Sequence, residues 1–229
     1  MKRGTVLLLA LVAATVIGEG GASNARAGLI PLPTTLDQLQ TTGNFAVVAP
    51  FTFSEFTFSS SAIPPSTPVI SPSAVNVLRF DLGNEHGITL GGAFFAAAGT
   101  IVDYAFSYLV TAAPGVGIID AYLSGVFSTF GGTGSVSIGE TLYNADTGEL
   151  IGTLEIASPP GSVSNVLNFN GVRAIRVQKD LILVGGSNGA SVSFINQGYS
   201  YVPEPGSIVM GSVAGVVGLA EALRRRRRA

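Results

Sequence analysis

Four carboxylates in the middle of the chain are the residues that could make this protein an enzyme, and the bond they could cleave is glycosidic. They are Asp103, Asp120, Glu140 and Glu155, and all four fall in segments that alternate like strands. Glycoside hydrolysis uses two carboxyl groups on opposite sides of the bond, one as acid and one as nucleophile or base. Acidic side chains on strands ordinarily face solvent, and the spacing here defines no pair. The sequence therefore predicts that the protein is not an enzyme, with a secreted hydrolase as an alternative.

A serine between glycines also has to be considered as a nucleophile. Residues 185–189 read Gly-Gly-Ser-Asn-Gly, which matches the Gly-x-Ser-x-Gly elbow of hydrolases. An elbow lies between a strand and a helix, and in that class of enzyme the triad histidine comes later in the chain. Here residues 191–195 alternate like a strand, and the single histidine, His86, precedes Ser187. The segment is therefore predicted to be a hairpin turn.

A polar turn before His86 is the candidate metal site. Asp81, Asn84 and Glu85 lie around Gly83 and offer the oxygen ligands that calcium accepts. Their spacing is not that of an EF-hand loop, and the same residue types fill ordinary turns. A single histidine in a chain without cysteine does not provide a usual transition-metal site. We therefore predict no cofactor and no bound metal, and keep these three residues as the calcium candidates.

Charge is distributed unevenly along the 229-residue chain. Eight of the twelve basic residues lie in the two terminal segments. Between residues 28 and 202, four basic residues stand against eleven acidic ones, which gives this part a net charge of −7. Affinity for nucleic acid comes from neutralising phosphates, so an acidic domain of this kind excludes nucleic acid as a partner.

The middle of the chain alternates apolar and polar residues with the period of β-strands, and no stretch has a helical period. Predicted strands span residues 51–58, 75–80, 100–110, 118–127, 135–142, 150–156, 172–177 and 191–195, and a Pro-rich loop spans 59–73. Short Gly and Pro turns favour antiparallel sheets over a parallel sheet with crossover helices. We therefore predict an all-β fold, a jelly-roll-like antiparallel β-sandwich over residues 28–201. Its expected core includes Phe106, Tyr108, Val136, Ile138, Val177 and Phe194.

The N-terminus has the three parts of a secretory signal peptide. Two basic residues come first, an apolar run of about 12 residues follows from position 6 to 17, and small residues lead to Ala25 and Ala27. The run is too short to cross roughly 30 Å of hydrocarbon as a helix. Signal peptidase accepts small side chains such as Ala25 and Ala27, so residues 1–27 are predicted to be removed during export.

The C-terminus has an apolar segment that ends in five arginines. At 1.5 Å per residue, a helix over residues 206–223 is about 27 Å long, which is enough for a short membrane span. The arginines form a predicted stop-transfer signal, because basic residues stay on the cytoplasmic side of the membrane; they are Arg224, Arg225, Arg226, Arg227 and Arg228. We therefore predict a transient membrane anchor with the folded domain outside the cell.

A stiff motif lies immediately before this apolar segment and consists of Val202, Pro203, Glu204 and Pro205. Each X-Pro bond biases the preceding residue toward extended backbone, the conformation that protease clefts accept. Motif, apolar helix and arginine-rich end together resemble the PEP-CTERM sorting signal over residues 202–229. The resemblance implies a bacterial protein that exosortase, a membrane protease or transpeptidase, recognises at its tail. It also implies a final location at the cell surface or in the extracellular matrix.

The sequence thus predicts an exported structural protein of the cell surface or matrix, processed by signal peptidase and exosortase and held transiently in the membrane. The alternative is a carbohydrate-binding module that contacts exopolysaccharide. Aromatic side chains could serve as stacking surfaces for sugar rings, and Tyr104, Tyr108 and Tyr122 are the candidates. The chain has no tryptophan, the residue with the largest stacking surface, and this favours the structural role.

Overall fold

Two antiparallel β-sheets packed face to face form the structure, a computed structural model that describes residues 28–130, 132–158 and 163–203. The seven-stranded sheet has the order β1 (Thr34–Thr35), β4 (Asn76–Leu82), β5 (Glu85–Ala96), β12 (Ala190–Tyr199), β7 (Val116–Thr129) and β10 (Ser164–Val172), and β13 (Tyr201–Pro203) pairs with β7. The six-stranded sheet has the order β2 (Phe45–Val48), β3 (Phe51–Ile63), β6 (Ile101–Ala112), β11 (Ala174–Val184), β8 (Ser135–Asn144) and β9 (Leu150–Ser158). Connections such as β5 to β6, β6 to β7 and β11 to β12 pass from one sheet to the other. The predicted jelly-roll-like sandwich is confirmed.

The core lies between the two sheets, where alternate side chains of each strand meet. Along β6, Val102, Tyr104, Phe106, Tyr108 and Val110 point inward and are almost fully buried. Their neighbours in sequence are only partly covered on the opposite face, as the two-residue period of a strand requires. Burying each large apolar side chain stabilises the fold by about 1.5–3 kcal/mol, so this inner layer is the main source of stability in a chain without cysteine.

The predicted strands are present, and most of them are longer than predicted. The Pro-rich loop starts later than expected, because β3 continues through Ser59 to Ile63 by pairing with β6. The predicted strand at 172–177 is divided between two elements, since β10 ends at Val172 and β11 begins at Ala174. Helical structure within the described residues is limited to α1 (Leu36–Gln40) and a 3₁₀ turn (Pro72–Ala74).

The prediction lacks the short strands β1, β2 and β13, and it also lacks two long ones, β5 and all of β10 except Val172. Strand β5 contains three glycines, which are poor strand formers, and β10 contains three asparagines and a glycine. Both strands have long-range partners, because β5 pairs with β12 as well as with its hairpin neighbour β4, and β10 pairs with β7. Tertiary pairing therefore overrides the low strand propensity of these segments.

The predicted burial of Phe194 is wrong, whereas the other five predicted core residues are buried. Phe194 is 44% exposed because the pairing register of β12 shifts between Val192 and Phe194 on both sides of the strand. Such a bulge inserts one residue and reverses the inward and outward alternation that follows it. Ile195 therefore takes the inward position and is 1% exposed.

Candidate functional site

Two aromatic rings stack against each other on the outer face of the seven-stranded sheet. Phe80 is on β4 and Tyr122 is on β7, and the two strands are separated by β5 and β12. Their ring centroids are 5.8 Å apart and their planes differ by 5°. Both side chains are partly exposed. We call this pair the aromatic platform.

The platform exists because the two strands between its rings carry glycine where the rings pass over them. The register pairs Phe80 with Gly87 on β5, and Gly198 on β12 with Tyr122. A Cβ atom at Gly198 would lie 3.0 Å from Cε1 of Phe80 and 2.9 Å from Cβ of Glu85. The bare backbone of β12 at this point therefore allows the Phe80 ring and the Glu85 side chain to approach the sheet closely.

A polar cleft of about 560 Å³ adjoins the platform at the end of the same sheet. It is lined by Asn84, His86, Ile119, Asp120, Ser200, Tyr201 and Val202. Glu85 accepts a hydrogen bond from Ser200 Oγ at 2.9 Å, and Asp120 Oδ1 accepts one from the Ser200 backbone N–H at 2.7 Å. Tyr201 is 42% exposed, and its ring centroid is 6.0 Å from that of His86. The cleft thus combines hydrogen-bonding groups with an exposed aromatic ring.

The Glu85 carboxyl is held in a partly desolvated position between the platform and the cleft. Burial raises the pKa of Glu85, and the nearby negative charge of Asp120 adds to the rise. The hydrogen bond from Ser200 acts in the opposite direction. One carboxyl oxygen of Glu85, Oε2, is buried without a hydrogen-bond partner. The protonated form of Glu85 is therefore favoured more than it is in a solvated carboxyl group.

On the other side of the platform, three polar side chains form a ladder across three strands. Thr89 Oγ1 donates to Asn196 Oδ1 at 2.7 Å, and Asn196 Nδ2 donates to Ser124 Oγ at 3.1 Å. These residues follow the register that places β5, β12 and β7 side by side. The platform is thus flanked by hydrogen-bonding groups at both ends, which is the composition of a binding surface for a ligand with apolar faces and polar edges.

The calcium candidates do not share one function in the structure. Asp81 on β4 faces His86 across the hairpin, where its carboxylate forms an ion pair with Arg79 and a 2.7 Å hydrogen bond with His86 Nδ1. The Arg79 guanidinium is the main reason that the pKa of Asp81 is lowered. Glu85 is directed instead toward Ser200, and Asn84 lines the cleft. Among the described residues, no group of three or more acidic or histidine side chains could hold a metal ion.

The four carboxylates considered for glycoside hydrolysis are dispersed. Glu140 is 2% exposed in the core, and Asp120 lies in the seven-stranded sheet. Asp103 on β6 and Glu155 on β9 share the outer face of the six-stranded sheet, but β11 and β8 separate them. Three strand spacings correspond to about 14 Å, which is wider than the separation used by either class of glycosidase.

The remaining residues considered from the sequence lie in a connection, in the core or on the surface. The Gly-Gly-Ser-Asn-Gly segment is the connection between β11 and β12, and a strand follows it as predicted. Tyr104 and Tyr108 are each 1% exposed and belong to the core, so their assignment as stacking residues is wrong, whereas Tyr122 is on the surface. Sequence reasoning did not identify Phe80, Thr89 or Asn196 as site residues. The contact between Thr89 and Asn196 depends on pairing between residues 107 apart in the sequence.

The predicted sorting motif is only partly described. Val202 and Pro203 lie in β13, where they pair with Gly117 and Val116 of β7. The folded part therefore extends two residues beyond the predicted domain end at Tyr201. Glu204, Pro205, the five arginines and the signal-peptide residues Ala25 and Ala27 lie outside the described residues. Within the described residues, no helix has the length and apolar character needed to cross a membrane.

Comparison with known proteins gives structural similarities only. No protein-family model matches the chain, and no curated protein matches its sequence. The structure is similar to TmCBM61, solved in complex with β-1,4-galactotriose, with a TM-score of 0.32 and 11% identity over 66% of this chain and 90% of the module. It is also similar to a carbohydrate-binding module of Cellvibrio mixtus lichenase 5A in complex with cellotriose, with a TM-score of 0.22 and 17% identity over 55% and 87% of the two chains.

A third similarity is to the enzymatically active domain of tailspike protein 4 from bacteriophage CBA120. The TM-score is 0.30 and the identity is 15%, over 65% of this chain but only 20% of the tailspike chain. Because the TM-scores and identities of all three are low, these similarities carry no information about function.

Proposed function

We propose that this chain is an exported polysaccharide-binding protein that binds glycan on the outer face of its seven-stranded sheet. The observation that supports this proposal is the aromatic platform of Phe80 and Tyr122. It is flanked by the polar cleft and by the ladder of Thr89, Asn196 and Ser124. A sugar ring has an apolar face of C–H groups and a rim of hydroxyls. The stacked rings supply apolar aromatic surface, and the flanking groups supply donors and acceptors at its edges.

The location of this binding activity is proposed from the two ends of the sequence. Residues 1–27 would direct export, and the tail from Val202 onward, which resembles a PEP-CTERM signal, would bring the protein to exosortase. A glycan-binding domain released at the cell surface would associate with exopolysaccharide or other matrix polymers. This joins the structural role predicted from the sequence with a specific means of attachment to the matrix.

Binding is proposed in preference to hydrolysis because the four carboxylates considered for cleavage do not form a suitable pair. Asp103 and Glu155 are too far apart, and Glu140 is enclosed in the core. Glu85 and Asp120 are close enough for their charges to interact. Catalysis instead requires space for a sugar between the two carboxyl groups.

A glycan microarray followed by affinity measurement on the best-bound polysaccharide tests this function. Replacement of the ring in Tyr122→Ala is expected to weaken binding at least about tenfold, equivalent to about 1.4 kcal/mol. Phe80→Ala should have a similar effect, because the Phe80 ring stacks on Tyr122 and holds it in place. Tyr143→Ala is the matched control, since Tyr143 is a partly exposed tyrosine on the other sheet.

Two results would contradict the proposal. One is an array on which the folded protein binds no glycan above background, which would favour a purely structural role. The other is a glycan whose affinity is unchanged in both Tyr122→Ala and Phe80→Ala but reduced in Tyr143→Ala. That pattern would move the binding surface to the six-stranded sheet.

A further inference from the structure

Three polar side chains meet in the apolar layer between the sheets, beside the buried hydroxyls of Tyr108 and Tyr199. Glu140 on β8 and Lys179 on β11 come from the six-stranded sheet, and Gln197 on β12 comes from the seven-stranded sheet. Each is at most 2% exposed, and the side chains of Lys179 and Glu140 are fully buried. The surface binding site does not use any of these three residues.

The contacts place an amine against a carboxamide. Lys179 Nζ donates a hydrogen bond to Gln197 Oε1 at 2.8 Å, and it also donates to Glu140 Oε2. Glu140 is close enough to the Gln197 amide for the two to interact. The amine, the amide and the carboxyl group therefore lie within reach of one another, and the protein holds all three away from water.

As three unlinked side chains, this cluster lowers the stability of the folded protein. A buried ion pair loses the hydration of both charges, and only favourable geometry with all hydrogen bonds made offsets that loss. Here Glu140 Oε1 and Gln197 Nε2 are buried without a hydrogen-bond partner. The cluster thus retains unpaired polar atoms at the point where the two sheets must stay together.

Burial also moves both ionisable groups toward their uncharged forms. It raises the pKa of Glu140 and lowers the pKa of Lys179, and in each case loss of hydration is the largest cause. A neutral lysine amine has a free electron pair and is a nucleophile, while a protonated carboxyl group can deliver a proton. The cluster therefore places an amine shifted toward its nucleophilic form beside a carbonyl carbon and a carboxyl group that can transfer a proton.

We propose that Lys179 and Gln197 become joined by an intramolecular amide bond, with Glu140 as the proton-transfer group. The Nζ electron pair attacks Cδ of Gln197 and forms the new C–N bond. Glu140 delivers its proton to Nε2 and recovers a proton from Nζ. The bond between Cδ and Nε2 then breaks, and the amide nitrogen leaves as ammonia. No oxidant or cofactor is needed, because an amine and a primary amide become a secondary amide and ammonia.

The product removes the unfavourable features of the cluster. Nζ of Lys179 becomes an uncharged amide nitrogen, and the unpaired Nε2 of Gln197 leaves the protein. The remaining amide offers one N–H and one carbonyl to the Glu140 carboxyl group beside it. The new bond would also connect β11 of one sheet to β12 of the other, giving a covalent link between layers in a chain that has no cysteine.

Peptide mass spectrometry on the full chain, purified in folded form, tests this modification independently of processing at either end. Chymotrypsin cleaves after residues such as Leu183 and Phe194, which lie between Lys179 and Gln197. The expected result is a single species that contains both peptides, with the mass of their sum less one ammonia. Recovery of the two peptides separately, with unmodified masses, would overturn the proposal.

Two variants establish the origin of the mass deficit. Asn-Gly sequences at residues 170–171 and 188–189 can also lose ammonia by forming a cyclic imide. Lys179→Met is expected to abolish the linked species, whereas a deficit from either Asn-Gly site would remain in this variant and would count against the proposal. Glu140→Gln keeps the size of the side chain and should leave most molecules unlinked. Linkage of Glu140→Gln at the parent level would overturn the role of Glu140.

Discussion

At the scale of single residues, Glu85 gives the protein a pH-dependent property that can be measured without knowing the ligand. Its ordinary pKa is 4.5, and the pKa is raised in the folded state mainly by burial. The folded protein therefore holds this proton to higher pH than the unfolded chain does. The stabilising contribution is complete below 4.5 and is lost as pH rises through the raised folded value.

The test is the variant Glu85→Gln, which cannot ionise at this position. The melting temperature of the variant relative to that of the parent should increase as pH rises from acidic to neutral, because only the parent must ionise a partly buried carboxyl group. Glu149→Gln is the matched control, since Glu149 is exposed in the turn before β9. A difference between Glu85→Gln and parent that is constant with pH would show that Glu85 is solvated in the folded protein.

Residue-level prediction from the sequence succeeded where alternation alone decides position. Phe106, Val136 and Ile138 follow an uninterrupted two-residue period and are buried as predicted. Tyr122 was identified as a candidate stacking residue, but its partner Phe80 was not. The two rings can approach each other because Gly87 and Gly198 lie between them without side chains. These glycines belong to β5 and β12, which meet only in the folded sheet. No local pattern carries that information.

At the scale of elements, the bulge in β12 makes a sharp prediction about two neighbouring residues. Ile195 is 1% exposed, whereas Phe194, which has the larger side chain, is 44% exposed. Ile195→Ala is expected to lower the free energy of unfolding by about 2–5 kcal/mol, because it leaves a cavity in the core. Phe194→Ala should cost less than about 1 kcal/mol.

Chemical denaturation of the two variants measures this difference directly. Each variant serves as the control for the other, because both change one side chain of the same strand to alanine. If Phe194→Ala were the more destabilising of the two, the register shift between Val192 and Phe194 would be wrong. In that case β12 would alternate without a bulge, and Phe194 would point into the core.

The same element shows why the sheet order could not be read from the sequence. Strand β12 lies between β5 and β7, and its partners come from segments about 60 to 115 residues earlier. Strand β5 begins at Glu85, inside a segment that local rules identify as a polar turn, and the turn itself is only Gly83 and Asn84. Local composition identifies strands that are rich in β-formers. The pairing that stabilises β5 and β10 is a property of the whole sheet.

At the scale of the whole molecule, the last described strand of the two-sheet architecture is β13, which contains Val202 and Pro203. The predicted sorting motif therefore begins in residues that are paired with β7 and continues beyond the described part of the chain. If exosortase recognises this motif, the folded domain holds the start of its recognition segment in an extended conformation.

Replacement of both Pro203 and Pro205 by alanine separates sorting from simple anchoring. The apolar segment and the five arginines are unchanged in this variant, but Val202 and Glu204 lose the backbone restriction that a following proline imposes. In a host with exosortase, the parent should be recovered without its tail, and the variant should accumulate uncleaved in the membrane fraction. Intact-mass measurement of both proteins gives the result.

The parent expressed in a host without exosortase is the control, and it should retain the arginine-rich end. A circular dichroism melt of the variant shows whether the substitution at Pro203 has disturbed β13 rather than recognition. Under simple anchoring, parent and variant behave alike in both hosts, because helix and charge alone determine retention. A mature parent that still ends at Ala229 in the exosortase-bearing host would therefore exclude sorting, and the chain would remain a surface protein held by its C-terminal segment.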